Sequence, residues 1–141
     1  MATDHTLQDN DFWQKKLSPE TFAVCRMGGT ERPYSGIYND FFEDGIYYCA
    51  CCAIDHALFD ASTKYHSHTG WPSFYAARVG SVIEKSDTTP TPSGAIDTRT
   101  EVLCARCHAH LGHVFEDGPQ PTGKRYCMNS VALTFIPHTT Q

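Results

Sequence analysis

The amino-acid sequence predicts a mainly β domain of antiparallel strands with a few short helices. Short runs rich in β-branched and aromatic residues are separated by turn signals along most of the chain. Helical signals are confined to the N-terminal part. The strand-like runs do not alternate with helices, as the strands of a parallel α/β fold would. These observations together favour antiparallel sheets with peripheral helices.

Two short helices are predicted near the N-terminus. Residues 8–17 have an amphipathic pattern. Ser-Pro-Glu at 18–20 supplies an N-cap, a proline at the first helical position and an early acid, so a second helix is predicted to begin there. The two glycines at 28–29 are expected to end it.

The rest of the chain is predicted to form short strands and turns. The strand-like runs are 46–48, 81–83, 101–103, 113–115 and 131–136. The polar stretch 86–93 is predicted to be a loop. Because 141 residues suit one core, residues 1–141 are predicted to form a single domain with loose polar termini.

Composition and charge exclude several classes of function. Hydrophobic residues make up 40% and charged residues 19%, as in an ordinary globular protein. The net charge of −5 argues against a nucleic-acid partner, which calls for a basic face. No apolar run is long enough to cross a membrane, and the N-terminus lacks the pattern of a signal peptide. We therefore expect a cytoplasmic protein.

Seven cysteines indicate metal binding or thiol chemistry. Two C-x-x-C pairs each follow a strand-like run, and together they supply the four thiolates of a structural zinc site. The predicted ligands are Cys49, Cys52, Cys104 and Cys107. A closed shell of four sulfurs leaves no position for water, so this zinc is expected to hold the fold together. Cys51 is predicted to be a bystander; buried thiols or two redox dithiols are the alternatives.

Among the remaining thiols, Cys127 is the predicted nucleophile. Arg125 precedes it by two residues, and a neighbouring guanidinium favours the reactive thiolate. Asn129 lies two residues after it, on the same face of an extended strand, where its amide can donate to a substrate oxygen. The alternative is a buried structural cysteine.

Aromatic and histidine side chains offer further candidates. With the metal shell filled by sulfur, His110 and His113 are free for proton transfer near neutral pH, although a structural role is the default for any one histidine. Trp71, held by a following proline, belongs either to the core or to a pocket for a thioether methyl group.

Five segments of the chain, together with the two cysteine pairs, occur in an order that is typical of one family. They are GTERPYSG at 29–36, KYHSHTGWPSF at 64–74, RTEVLC at 99–104, HLGHVFEDGP at 110–119 and PTGKRYCMNS at 121–130. On these segments the chain resembles the B-type methionine sulfoxide reductases over residues 11–136. So many segments in one order make the resemblance highly specific.

The resemblance implies reduction of the R epimer of methionine sulfoxide, free or in proteins, with thioredoxin as the reductant. It also implies a β-tent-like fold of two antiparallel sheets stapled by zinc, with short N-terminal helices. By the same resemblance Cys127 attacks the sulfoxide sulfur, His113, Asn129 and His110 line the pocket, and Trp71 packs against the S-methyl group. Arg125 is expected at the substrate site, and the protein is expected to be a monomer.

One position departs from the commonest family pattern. Many members carry a resolving cysteine just before Gly-Trp-Pro-Ser-Phe, whereas this chain has Thr69 there. Cys25 is the predicted substitute, because it lies in an early segment that can move and has Arg26 beside it. The alternative is a cycle in which an external thiol attacks the sulfenic acid directly.

Two other classes of protein share some of these features. A zinc-ribbon binding module explains the four metal cysteines but not the motif around Cys127 or the histidines. A general disulfide oxidoreductase using one C-x-x-C pair predicts redox-active cysteine pairs and no firmly bound metal.

Overall fold

A computed structural model describes residues 9–52, 56–90, 94 and 96–138 of the chain. Within these residues no helix is long and apolar enough to span a membrane. The single domain over 1–141 stays a prediction, since both termini lie outside the described part.

The two predicted N-terminal helices are present. Helix α1 spans Asn10–Lys16, and helix α2 spans Pro19–Cys25. The Ser18 hydroxyl accepts a hydrogen bond from the Thr21 N–H and so caps α2, as the sequence predicts. Beyond α2 the chain turns through Gly28, which has a positive φ of 76°.

Within the part of the chain that the structure describes, nine strands follow, in chain order β1 to β9. They are Gly45–Cys49, Ala57–Asp60, Lys64–Tyr65, Ser73–Phe74, Val82–Pro90, Ile96–Cys104, His110–Phe115, Arg125–Met128 and Leu133–Pro137. Short 3-10 helices at Ala61–Thr63 and Ser130–Ala132 precede β3 and β9.

The strands form two antiparallel sheets. The smaller sheet has the order β2-β1-β9, and the larger has the order β3-β4-β8-β7-β6-β5. Among the described residues, each strand is antiparallel to its neighbours. The prediction of a mainly β fold with two antiparallel sheets and short N-terminal helices is confirmed.

Aromatic side chains join the two sheets. The rings of Phe59 and Phe74 stack with their centroids 4.4 Å apart, and those of Tyr47 and Phe74 make an edge contact at 5.1 Å. All three residues are fully buried. Tyr47 and Phe59 come from the smaller sheet and Phe74 from the larger, so the core lies between the sheets and fixes β4 beside β8.

Two predictions for local structure are wrong. Residues 86–90 of the predicted loop 86–93 belong to strand β5, while 91–93 lie outside the described residues. Strand β5 is at the edge of its sheet. A threonine-rich run favours strand pairing, and an edge strand tolerates Pro90, which has no backbone N–H to donate, because one side of the strand has no partner. Val131 lies in a 3-10 helix, so the last strand begins at Leu133.

Candidate active site and metal centre

A transverse row of four residues crosses the larger sheet. Glu101 of β6 is paired with His113 of β7, His113 with Cys127 of β8, and Cys127 with Ser73 of β4. Residues directly opposite one another in antiparallel strands present their side chains on the same face. Strand pairing therefore brings an acid, an imidazole, a thiol and a hydroxyl into one line.

A cleft of about 280 Å³ opens over the middle of this row. Cys127, which is partly exposed, lines the cleft together with other predicted site residues. The full lining is Thr30, Thr69, Trp71, Arg99, Gly112, His113, Phe115, Arg125, Cys127 and Asn129. The structure thus gathers five of the predicted catalytic and substrate residues around one space.

The environment of the Cys127 thiol contains opposing influences. Burial raises its pKa above the ordinary value, whereas the charge of Arg125 and hydrogen bonds from Thr69 and Arg125 lower it. Burial outweighs these groups, so the pKa remains raised. The guanidinium effect expected from the sequence is present but is not the dominant one.

Arg125 is held in place from two sides. Its guanidinium makes two hydrogen bonds to the Asp117 carboxylate, at 2.9 and 3.1 Å, and lies over the Phe115 ring at 4.4 Å. This pairing holds the pKa of Asp117 below its usual range. Because these contacts fix the guanidinium group, its positive charge stays at one edge of the cleft near Cys127.

The Asn129 amide and the Trp71 indole are both anchored to backbone. The Asn129 oxygen accepts from the Glu31 N–H at 2.9 Å, and its nitrogen donates to the Leu111 carbonyl at 3.0 Å. One amide hydrogen of Asn129 is not used by that bond. The Trp71 indole N–H donates to the Glu31 carbonyl at 2.9 Å, which fixes the ring at the wall of the cleft.

His110 lies behind His113 and does not line the cleft. Its ring centroid is 5.4 Å from that of His113, and the residue is 6% exposed. Its Nδ1 is 2.7 Å from the Glu101 carboxylate. This geometry lets His110 influence His113, but it places His110 farther from the sulfoxide pocket than the resemblance implies.

Gly112 permits the close approach of β7 and β8. A Cβ atom there would overlap the Cys127 carbonyl oxygen and lie 3.0 Å from Met128 Cα. Both are backbone atoms that cannot move aside independently. Gly112 is therefore needed for the pairing that places His113 opposite Cys127.

We expect Gly112→Ala to lower the free energy of unfolding by about 1–3 kcal/mol, because overpacking forces the two strands apart. Turnover should fall with it, since His113 and Cys127 lose their register. Urea unfolding and steady-state kinetics measure both effects. Unchanged stability and unchanged turnover would show that the strands tolerate the methyl group.

The predicted resolving thiol does not line this cleft. Cys25, at the end of α2, is 2% exposed, and its side chain interacts with that of Cys51. The neighbouring Arg26 donates to the Cys107 carbonyl at 2.9 Å. Cys25 thus lies against the cysteine cluster and is not among the residues that line the cleft with Cys127.

The four predicted metal ligands form one buried cluster. The Cys49 and Cys107 sulfurs are 3.7 Å apart, as are those of Cys52 and Cys104, and all four lie within 4.8 Å of one another. Sulfurs at about 2.3 Å from a tetrahedral zinc ion are about 3.8 Å apart. The cluster can hold a metal ion, and its dimensions are consistent with zinc. Cys51 is not a member, as predicted.

Five residues that line the cleft have no role predicted from the sequence: Thr30, Thr69, Arg99, Gly112 and Phe115. Thr69 lies where many family members carry a cysteine, and in the structure it lines the cleft with Cys127 and makes a 2.8 Å hydrogen bond with Ser67. Hydroxyl residues at 67, 69 and 73 lie two and four residues apart around the Gly-Trp-Pro motif, and their side chains are joined by hydrogen bonds. That spacing is the signal from which a connected set could have been predicted.

Comparisons with known proteins agree with the site. The family model of the SelR domain matches residues 17–137. A Pseudomonas putida protein named peptide methionine sulfoxide reductase MsrB is 57% identical over 128 residues, covering 90% of this chain and 92% of its own. Proteins of the same name from Pseudomonas syringae and Pseudomonas savastanoi are 56% and 54% identical, with 90% and 89% of this chain and 92% and 91% of their own covered.

A more distant likeness concerns the fold alone. The crystal structure of the Mis18 'Yippee-like' domain matches with a TM-score of 0.53 and 17% identity, covering 70% of this chain and all of that domain. The SelR match, by contrast, spans most of the chain, and the prediction of an enzyme of this family is confirmed. The chain belongs to the SelR family, the B-type methionine sulfoxide reductases.

Proposed function

We propose that the protein reduces the R epimer of methionine sulfoxide, in peptides or as the free amino acid, to methionine. The observation that carries this proposal is the pairing of Cys127 with His113 inside a cleft walled by Trp71. A sulfur nucleophile, a proton donor and an aromatic wall are the groups needed to bind and reduce a methyl sulfoxide.

The first half of the reaction transfers one oxygen atom to Cys127. The thiolate attacks the sulfoxide sulfur while His113 supplies a proton to the sulfoxide oxygen, which makes that sulfur a better electrophile. The S–O bond breaks as the bond between the Cys127 sulfur and the substrate sulfur forms. The hydroxide so released attacks the Cys127 sulfur, the sulfur–sulfur bond breaks, methionine leaves and Cys127 becomes a sulfenic acid. The Cys127 sulfur loses two electrons, and the substrate sulfur gains two.

The remaining cleft residues orient the substrate. The indole face of Trp71 packs against the S-methyl group, and the second amide hydrogen of Asn129 donates to the sulfoxide oxygen. The Arg125 charge favours the Cys127 thiolate. His110, bonded to Glu101, supports His113 from behind.

The second half of the reaction restores the thiol. The proposed resolving group is Cys25, which condenses with the sulfenic acid to give a disulfide and water; thioredoxin then reduces that disulfide. Because Cys25 is 2% exposed and lies beside Cys51, this route requires α2 to detach from the cluster. Its burial makes direct attack by an external thiol the competing route.

We further propose that the metal held by the four cysteines is a structural zinc ion. Four thiolates complete a tetrahedral shell, so the ion contributes to folding and leaves no open position. The cytoplasmic location, the monomeric state and the lack of a nucleic-acid partner stay predictions.

The proposed reaction is tested with chirally resolved methionine sulfoxide peptides and the reduced protein. Without reductant, we expect methionine from the R epimer alone. Two thiols should be lost per turnover if Cys25 condenses with the sulfenic acid. One thiol should be lost if the sulfenic acid persists. Chromatography measures the methionine and a thiol reagent counts the thiols. Equal reduction of both epimers would contradict the proposed substrate.

The Cys25→Ser variant separates the two routes of recycling. If Cys25 is the resolving thiol, this variant should release one equivalent of methionine and stop at the sulfenic acid under thioredoxin. A normal thioredoxin-driven cycle would instead show that an external thiol attacks Cys127 directly.

A further inference from the structure

We propose that Glu31 is a positioning residue that holds Trp71 and Asn129, the side chains assigned above to the S-methyl group and the sulfoxide oxygen, in a fixed relation to one another. The proposal rests on the proposed function, which supplies those two assignments. Glu31 is not among the residues that line the cleft with Cys127. It acts through its backbone, which its carboxylate fixes.

The backbone of Glu31 joins the two groups. Its N–H donates to the Asn129 side-chain oxygen at 2.9 Å, and its carbonyl accepts from the Trp71 indole N–H at 2.9 Å. Because both bonds belong to one residue, a shift of that residue disturbs the amide and the indole together. The preceding residue, Thr30, lines the cleft, so this part of the chain forms one edge of it.

The Glu31 carboxylate ties the same residue to the turn that follows Asn129. Its Oε1 accepts from the Val131 N–H at 3.2 Å. Val131 lies in the short 3-10 helix Ser130–Ala132, which Asn129 directly precedes. Glu31 therefore holds this turn at two points, the side chain of Asn129 and the backbone of Val131.

The segment around Glu31 depends on such individual bonds. Residues 30–32 belong to neither a helix nor a strand, so no ladder of backbone hydrogen bonds fixes them. The Tyr34 N–H donates to the Gly70 carbonyl at 2.7 Å and ties residues 31–34 to the loop that carries Trp71. Residues 31–34 thus bridge the turn at 129–131 and the Trp71 loop, and the carboxylate anchors the end at the turn.

The carboxylate occupies a costly position. Its Oε2 is buried and has no hydrogen-bond partner among the residues that the structure describes. A Cβ atom at Gly36 would overlap this oxygen and the Ser130 hydroxyl, so the glycine leaves the room that the carboxylate needs. A buried oxygen without a partner opposes folding. A polar group buried at such a cost is typical of a functional site.

The relation between Trp71 and Asn129 matters because a sulfoxide presents its methyl group and its oxygen from one sulfur atom. The wall for the methyl group and the donor for the oxygen must therefore keep fixed positions relative to Cys127. A displacement of about 1 Å in such a site lowers the rate by up to about a hundredfold. Cys127 itself is held in β8 by pairing with β4 and β7, so loss of the Glu31 anchor should leave it in place.

The negative charge of Glu31 offers a different explanation, which three replacements separate from the hydrogen bond. Burial is the largest influence that raises the Cys127 pKa, and the Glu31 charge is a smaller one in the same direction. Glutamine removes the charge and keeps an oxygen acceptor for the Val131 N–H. Aspartate keeps the charge on a side chain one methylene shorter, which withdraws its oxygens from that N–H. Alanine removes both.

The first measurement is the rate of solvent exchange of the Trp71 indole proton, followed by NMR without substrate. The chain has two tryptophans, so the Trp13→Phe variant identifies the Trp71 signal. We expect Glu31→Ala and Glu31→Asp to raise the exchange rate about tenfold, because the segment opens more often once the carboxylate bond is lost. Glu31→Gln should stay within about twofold of wild type.

The second measurement is kcat/KM for an R-sulfoxide peptide. It should fall at least about tenfold in Glu31→Ala and Glu31→Asp and stay within about twofold of wild type in Glu31→Gln. Glu84→Ala is the matched control, because the Glu84 carboxylate accepts from the Tyr126 hydroxyl at 2.8 Å but does not line the cleft. This control should change neither kcat/KM nor the indole exchange rate.

A wild-type indole exchange rate in both Glu31→Ala and Glu31→Asp would overturn the proposal, and so would a wild-type kcat/KM in both. A Glu31→Gln protein that matches Glu31→Ala would also overturn it, since the charge would then be the cause. If the wild-type protein does not reduce the R-sulfoxide peptide, the proposed function is wrong. The exchange rate, measured without substrate, still decides whether Glu31 fixes the Trp71 ring.

Discussion

Cys127→Ser is expected to lower kcat for methionine sulfoxide reduction by at least about a thousandfold. A serine hydroxyl stays protonated at neutral pH and is a far weaker nucleophile toward sulfur. The change replaces one sulfur atom by oxygen in a partly exposed side chain, so the fold should remain intact. Substrate binding should survive, because Trp71 and Asn129 are anchored by other residues.

The loss of activity is measured by the methionine released from an R-sulfoxide peptide in a single turnover with excess enzyme. Cys51→Ala is the matched control, since it removes a thiol that belongs neither to the cleft nor to the metal cluster. It should keep wild-type turnover. Retention of activity in Cys127→Ser would mean that another thiol performs the attack.

Removal of one metal ligand is expected to have the largest effect on stability. Cys107→Ala should lower the free energy of unfolding by more than about 4 kcal/mol and abolish tight zinc binding. The four sulfurs join the ends of β1 and β6, which lie in different sheets. Loss of the ion therefore releases the two sheets from one another at that end of the core.

Metal content by elemental analysis and thermal unfolding by circular dichroism test this expectation together. Wild type should contain about one zinc ion per chain. Cys51→Ala is again the control, because Cys51 lies inside the first cysteine pair yet outside the cluster. A stable, active, metal-free Cys107→Ala protein would contradict the structural role of the metal.

The metal cluster was predictable because its signal is local. In each C-x-x-C pair two residues separate the ligands, and a strand precedes each pair. The cluster formed by Cys49, Cys52, Cys104 and Cys107 confirms that prediction. The N-cap at Ser18 and the proline at the first helical position, Pro19, were predictable for the same reason.

The arrangement of the active site depends on strand pairing, which spacing alone does not specify. That Glu101, His113, Cys127 and Ser73 share one transverse row follows from the order of β6, β7, β8 and β4. A one-residue change of register would move each side chain to the other face. The position of Cys25 against Cys51 likewise depends on how α2 packs.

Strand assignment failed where tertiary pairing overrode local composition. Polar residues at 86–90 looked like a loop but pair along the edge of the larger sheet with β6. Val131 has high strand propensity, yet it lies in the turn that carries Asn129 into β9. In both places the partner segment, and not the residue types alone, decides the local structure.

The central claim, that Cys127 attacks the sulfoxide sulfur, is tested most directly by trapping its product. The Cys25→Ser protein is mixed with an R-sulfoxide peptide and dimedone, a reagent for sulfenic acids, without any reductant. Peptide mass mapping then locates the adduct. The account predicts one dimedone adduct per methionine formed, on Cys127; methionine formed with the adduct on another cysteine, or with none, would contradict it.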